Sequence, residues 1–169
     1  MNFETPIPNV AVIFPAKNQE RTIQHVINTA KKSNHNPQVI VVDAFSSDRT
    51  FELANNAGVT VIQQEVKLFP GKGIAMKTGL KEAIKLNSNI ILFLDADITN
   101  LTPDWVDNLV DGCTNCDMVR GCYLRHPRDA AVTKLIAKPL LNVFLPELSH
   151  MEHIHLPVYM GGVFYCDIG

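Results

Sequence analysis

The sequence predicts an α/β fold, a mainly parallel sheet flanked by helices, and three observations lead there. Short apolar runs, Val10–Phe14, Val39–Asp43, Val59–Ile62 and Ile90–Asp97, alternate with stretches whose apolar residues recur at helical spacing. Val10–Phe14, Val39–Val42 and Ile90–Leu94 are apolar without a break instead of alternating with polar residues, which is the pattern of strands covered on both faces. Three stretches at or just after strand ends, Pro15–Asn18, Asp43 and Asp95–Asp97, are polar or acidic. Ligands of such sheets bind beyond the C-terminal strand ends, so those stretches could line one site.

Taken in order, Val10–Phe14 is the first strand and stops at Pro15-Ala16-Lys17-Asn18. Ile23, Val26, Ile27 and Ala30 mark an amphipathic helix over Glu20–Lys32. Val39–Asp43 is the second strand, Asp48–Asn56 the second helix, closed by Gly58, and Val59–Ile62 the third strand. After Phe69-Pro70-Gly71-Lys72-Gly73 comes a helix with Met76, Leu80, Ala83 and Ile84 on its buried face. The fourth strand runs into Asp95 and Asp97. Thr102 is a good N-cap with Pro103 at the first helical position, opening a helix to about Val110. Asp117–Tyr123 reads as a fifth strand, Val132–Leu141 as a helix that Pro139 kinks or shortens, Pro146–Leu156 as loop, and Pro157–Tyr165 as the place of a last strand. There is no internal repeat, low-complexity tract or linker, and 169 residues make about one domain, 1–169.

Composition narrows the function. Hydrophobic residues at 46% and charged ones at 19% suit a soluble globular domain. A net charge of −2 without a basic stripe gives no reason to expect nucleic acid. Met1–Glu20 lacks a basic segment followed by a long apolar core, and no apolar run is long enough for a membrane span, so a cytoplasmic protein is expected. Cys113, Cys116, Cys122 and His126 can be written as a zinc pattern, but no second C-x-x-C supports it, and thiols in a reducing compartment are the better reading. His150, Glu152, His153 and His155 match no helix face and read as a polar loop.

Asp95 and Asp97 carry the strongest chemical signal. In extended chain, residues two apart point the same way. Two carboxylates on one face at a sheet's end repel unless a cation lies between them and a phosphate-rich ligand. The alternative is that Asp95 ends the strand and Asp97 belongs to the next turn. Gly71-Lys72-Gly73 is not a phosphate-binding P-loop, because Val66 stands where the first glycine is needed and Gly73 where Ser or Thr is. Lys72 between glycines could still neutralise a phosphate, or be a solvated turn residue. Asp43 could accept hydrogen bonds from a base or ribose, or serve the turn; Asn18 and Glu20 carry the same ambiguity as helix-start residues. Arg120, Arg125, Arg128 and Lys134 could receive an anionic acceptor or form a solvated basic rim.

Together these residues resemble the nucleotide-sugar-dependent glycosyltransferases of the GT-A (Rossmann-like) fold. The matching stretches are Phe14–Glu20, Val41–Asp43 with Ser46–Thr50, Pro70–Gly73, and Asp95-Ala96-Asp97. Within that fold the chain is most similar to the glucosyl-3-phosphoglycerate synthases and their mannosyl relatives, on Tyr123-Leu124-Arg125, Val132–Leu141 and Pro146-Glu147-Leu148. The resemblance implies that Pro15, Ala16, Asn18, Glu20 and Asp43 hold the nucleoside. It places Lys72 near the base or diphosphate, and Asp97 on a divalent cation, Mg²⁺ or Mn²⁺. Asp95 would reach the ribose or, through water, the metal. Thr133 and the Gly161-Gly162 turn would face the acceptor, with Arg125 beside them.

Three departures accompany the resemblance. Ala131 stands where the synthases have an acceptor-phosphate arginine, Val163 where they have a glutamate, and their third metal ligand is a histidine downstream of Gly169. The expectation is therefore a C-terminally incomplete enzyme domain. It would transfer a hexose from a UDP- or GDP-sugar to a small acceptor, phosphorylated or not, with a homodimer left open. The alternatives are a catalytically silent nucleotide-sugar binding module and a transferase acting on a polyprenyl phosphate.

Overall fold

The computed structural model describes residues 8–67, 71–113, 116, 119, 121, 138–144 and 164–167. They form strands β1 (Val10–Ala16), β2 (Gln38–Asp43), β3 (Thr60–Gln63), β4 (Ile90–Phe93) and β5 (Phe164–Asp167), and helices α1 (Ile23–Ala30), α2 (Thr50–Asn56), α3 (Lys72–Lys85), α4 (Pro103–Gly112) and α5 (Lys138–Phe144). The chain divides into two compact units, Met1–Gly121 with Val163–Gly169, and Cys122–Gly162. The sheet and α1–α4 belong to the first unit, α5 to the second. No helix among the described residues is long and apolar enough to cross a membrane.

The sheet order is β3-β2-β1-β4-β5. The first four strands are parallel, and β5 runs antiparallel to β4. β1 is the central strand, and the period-two alternation of its side chains divides the core. Val10, Val12, Phe14 and Ala16 join Val39, Val41, Ile90 and Leu92 in a cluster with the buried sides of α1 and α4 and Ala54 of α2. Ala11 and Ile13 face the other way, with Ile40, Val42 and Ile91, against Ala75 and Ala83 of α3. A strand sandwiched in this way has no polar face, which explains its uninterrupted apolar sequence.

The elements depart from the sequence reading in instructive places. β1 does not stop at Phe14 but runs on through Pro15 to Ala16. The Ile13 carbonyl accepts the Leu94 N–H at 3.0 Å and the Ala16 carbonyl the Ala44 N–H at 2.8 Å, so odd residues of β1 bond toward β4 and even ones toward β2. Pro15 has the odd parity, and the β1–β4 pairing has already ended at Ile13 and Phe93, so its missing N–H costs no ladder bond. α1 starts at Ile23, not Glu20, because the backbone and side chains of residues 19–22 bond elsewhere. α2 starts at Thr50, not Asp48. β4 ends at Phe93, so Asp95 and Asp97 lie in the following turn and not on a strand face. The expected strand over 117–123 and the expected loop over 146–156 lie wholly or mostly outside the described residues, and the last strand is seen over Phe164–Asp167.

α3 is the largest correction. Its buried residues are Ala75, Thr78, Gly79 and Ala83, while Ile84 is exposed and Met76 and Leu80 are half-buried. Small residues face the sheet because the helix lies close on it. A Cβ on Gly79 would sit 2.5 Å from Ile13 Cγ2 and 3.0 Å from Val42 Cγ2, on side chains that cannot withdraw from the core. Gly79→Ala gains helix propensity but overpacks this contact, and a net loss of about 1–2 kcal/mol is expected in urea unfolding. A variant as stable as the parent, or more so, would contradict the close packing.

Candidate functional site

The chain runs outward from β1 through β2 to β3, then returns over α3 to β4 on the other side of β1. The connections after β1 and β4 therefore diverge, and the crevice between them is where an open parallel sheet binds its ligands. Around it stand the residues singled out in the sequence. Pro15 is half-buried and Ala16 buried at the end of β1; Asp43 is buried at the end of β2. Lys72 opens α3, and Asp95 and Asp97 follow β4.

Reciprocal hydrogen bonds fasten the loop after β1 to the loop after β2. The Asn18 N–H donates to Ser46 Oγ at 2.9 Å, and Asn18 Oδ1 accepts the Ser47 N–H at 2.9 Å. The Gln19 N–H donates to Thr50 Oγ1 at 2.7 Å and the Glu20 N–H to Asp48 Oδ2 at 3.1 Å. The Glu20 carboxylate in return accepts the Arg49 N–H at 3.2 Å. Asn18 takes φ 54°, a left-handed conformation that Asn tolerates. The Asp43 carboxylate folds back to accept the Ser46 N–H at 3.1 Å, fixing the turn whose next residue but one, Phe45, takes φ 56°. That value is uncommon for a bulky residue. The Phe45 ring is half-buried, with Lys67 Nζ 5.4 Å from its centroid.

Asp48 also caps α2. Its Oδ1 accepts the Thr50 N–H at 3.0 Å, a role the adjoining Arg49 does not fill. Burial raises the Asp48 carboxyl, but hydrogen bonds from the Thr50 hydroxyl and from the Thr50 and Glu20 N–H groups outweigh it and hold the group below its ordinary range.

The acidic turn is held from two sides. Leu94 and Ala96 are buried in the core, while Asp95 is half-buried and Asp97 exposed. Thr22 Oγ1 donates to the Ala96 carbonyl at 2.7 Å, tying the start of α1 to the residue between the two acids. Lys72 Nζ is paired with the Asp95 carboxylate. Asp97 has no hydrogen-bond or ion-pair partner among the described residues. Two carboxylates of which one is exposed form a hard oxygen donor set, too few to cage a cation by themselves; Mg²⁺ typically binds one or two carboxylates together with substrate phosphates. Among the described residues no three His, Cys, Asp or Glu side chains come together to hold a metal.

The structure thus gathers Pro15, Ala16, Asn18, Glu20, Asp43, Lys72, Asp95 and Asp97 at one end of the sheet. Thr133, Gly161, Gly162 and Arg125 lie outside the described residues, as do Cys122, His126 and the histidines of 150–155. Cys113 is buried at the end of α4 and Cys116 is exposed. His25 is exposed on α1, and His35 Nε2 lies 3.0 Å from Asp111 on α4. Sequence reasoning did not name Thr22, and it named Ser46, Asp48 and Thr50 only within a matching stretch, without a role as builders of the site. Their signal was present in the Ser/Asp/Thr-rich segment after β2, a composition that favours side-chain-to-backbone bonds.

Three comparisons bear on this geometry. The sequence profile of Glycosyl transferase family 2 matches residues 11–165. The glucosyl-3-phosphoglycerate synthase of Mycolicibacterium smegmatis is 32% identical over 159 residues, covering 83% of this chain and 52% of that protein. The crystal structure of the Mycobacterium tuberculosis synthase in complex with Mn²⁺, uridine diphosphate and glucosyl-3-phosphoglycerate is similar with a TM-score of 0.76 and 29% identity, over 95% of this chain and 57% of that one. The α/β fold is of the GT-A type. The chain spans about half the length of the curated relatives it matches.

Removing the Asp48 side chain tests the loop fastening. Asp48→Ala is expected to cost about 1 kcal/mol at neutral pH, the ordinary worth of a helix cap. Because the folded-state carboxyl is held low, its contribution is present above the ordinary carboxylate range and lost as pH falls through the lowered value. Urea unfolding of parent and variant should therefore differ at neutral pH and through the ordinary carboxylate range, and converge in acid below it. A gap that stays constant down to the acid limit would contradict the assignment.

Proposed function

Because the chain belongs to Glycosyl transferase family 2, we propose that it is the nucleotide-sugar-binding part of a hexosyltransferase. Its substrates are a nucleoside diphosphate hexose, of the uridine type, and a small phosphorylated acceptor. One observation carries the reading: Asp43 ends β2, Asp95 and Asp97 follow β4, and Lys72 at the start of α3 pairs with Asp95, all at the end of the sheet beside the β1–β4 switch point. The mycobacterial complex with Mn²⁺, uridine diphosphate and glucosyl-3-phosphoglycerate supports the choice of base, cation and acceptor class.

In this reading Pro15 and Ala16 form the floor under the nucleoside, and Asp43 stands beside it. Asn18 and Glu20 act mainly through the loop, since a side-chain oxygen of each is already engaged by the Ser47 and Arg49 N–H groups. Lys72 brings a positive charge to the diphosphate, at the positive end of α3. Asp97, exposed and unpaired among the described residues, is the direct ligand of Mg²⁺ or Mn²⁺, with Asp95 beside it. When bound, the cation neutralises charge that develops on the departing nucleoside diphosphate. Thr133, Gly161, Gly162 and Arg125 are assigned to the acceptor. A second reading, a module that binds the nucleotide sugar and transfers nothing, is favoured by Ala131 and Val163 at acceptor-side positions.

Calorimetric titration of uridine and guanosine diphosphates, with and without Mn²⁺, tests the assignment. Uridine diphosphate should bind more tightly with the cation than without it, and Asp97→Ala should reduce binding in the presence of Mn²⁺ at least tenfold, the loss of about 1.4 kcal/mol or more. Unchanged affinity in Asp97→Ala would sink the cation site. Release of uridine diphosphate from its glucose conjugate only when acceptor is added separates the transferase from the silent module.

A further inference from the structure

Lys72 and Asp95 form an unequal ion pair. The Asp95 side chain is 14% exposed and that of Lys72 51%, so the carboxylate is the more shielded partner. The acid is also the fixed partner. The Leu94 N–H is bound to Ile13, Ala96 is buried, and the Ala96 carbonyl is held by Thr22. Lys72, by contrast, sits at the first residue of α3 on a long flexible stem. A shielded carboxylate needs a neighbouring positive charge. Among the described residues Asp97, two residues away, is unpaired, and Lys72 is the positive charge paired with this turn.

We propose that Lys72 is a placeholder for the divalent cation. It neutralises Asp95 in the empty site, competes with the cation for that carboxylate, and once displaced is free to meet the donor's diphosphate. The inference rests on the cation and diphosphate assignments above and adds a consequence to them. Lys72 opposes cation binding when the nucleotide is absent and supports nucleotide binding when the cation is present. The two ligands are thereby coupled, and the coupling is reciprocal.

The test measures Mn²⁺ binding without nucleotide, by counting free Mn²⁺ in electron paramagnetic resonance, and then uridine diphosphate binding at saturating Mn²⁺. Lys72→Met keeps the stem and removes the charge. It should bind Mn²⁺ about two- to fivefold more tightly than the parent, the worth of a partly exposed pair, and bind the nucleotide more weakly. Lys72→Arg should behave as the parent. Lys81→Met, which removes a charge from the same helix where Lys81 pairs with Glu65, should leave both affinities unchanged. Equal or weaker Mn²⁺ binding by Lys72→Met, the same gain in Lys81→Met, or no Mn²⁺ binding by any of the proteins would overturn the proposal. If the parent binds Mn²⁺ but not uridine diphosphate, the functional reading itself fails. If it binds both and Lys72→Met changes neither, only the placeholder fails. Circular dichroism of each variant confirms that the fold is kept.

Discussion

β1 pairs with β4 only as far as Ile13 but with β2 as far as Ala16, and that difference in reach makes the crevice. Had β4 run alongside β1 to its end, Pro15 would break a ladder and Asp95 would lie on a strand instead of in a turn. Because β4 stops at Phe93, the chain beyond it is free to turn, with Leu94 and Ala96 anchored inward and the two acids left outside the core. The crevice also lies where the strand order reverses, so loops from both halves of the sheet reach it without crossing.

Strain and satisfaction are balanced around this opening. Asn18 and Phe45 both adopt left-handed backbone, at a cost of order 1–3 kcal/mol for a residue as bulky as phenylalanine. The bonds that hold them there join loops nearly thirty residues apart: Ser46 and Ser47 with Asn18, and Asp48 and Arg49 with Glu20. The side chains of Asn18 and Glu20 accept N–H groups of the second loop, and those of Ser46 and Asp48 accept N–H groups of the first, so each loop braces the other. The Lys67 ammonium over the Phe45 ring adds a cation–π contact from the segment after β3. The end of the sheet is therefore preorganised by its own residues, and Asp43 is positioned by the same network through Ser46.

Much of this was legible in the sequence. The alternation of apolar runs with helical spacing gave the layer architecture, since period and burial are local signals. Polar residues at strand ends were read as able to line one site, and all of those that are described lie at one end of the sheet. Three kinds of feature were not legible. The length of β1 depends on which neighbour each residue bonds, something Pro15 alone does not reveal. The face of α3 was misread in part: Ala83 lies on it as expected, but close packing puts Ala75 and Gly79 there instead of Ile84, against the rule that larger apolar residues point inward. The exchange between Asn18 or Glu20 and the loop after β2 is tertiary, so residues that look like direct ligand contacts spend side-chain atoms on the scaffold.

The central claim is that one crevice at the β1–β4 switch point takes both the cation and the nucleotide. Paramagnetic broadening of backbone amide signals by Mn²⁺, added with uridine diphosphate to isotope-labelled protein, tests it most directly. The account requires the strongest broadening at residues 94–98, with further losses at 16–20, 43–47 and around Lys72, while α4 and the far end of the sheet keep their signals. Broadening centred elsewhere, or a pattern unchanged by Asp97→Ala, would contradict it.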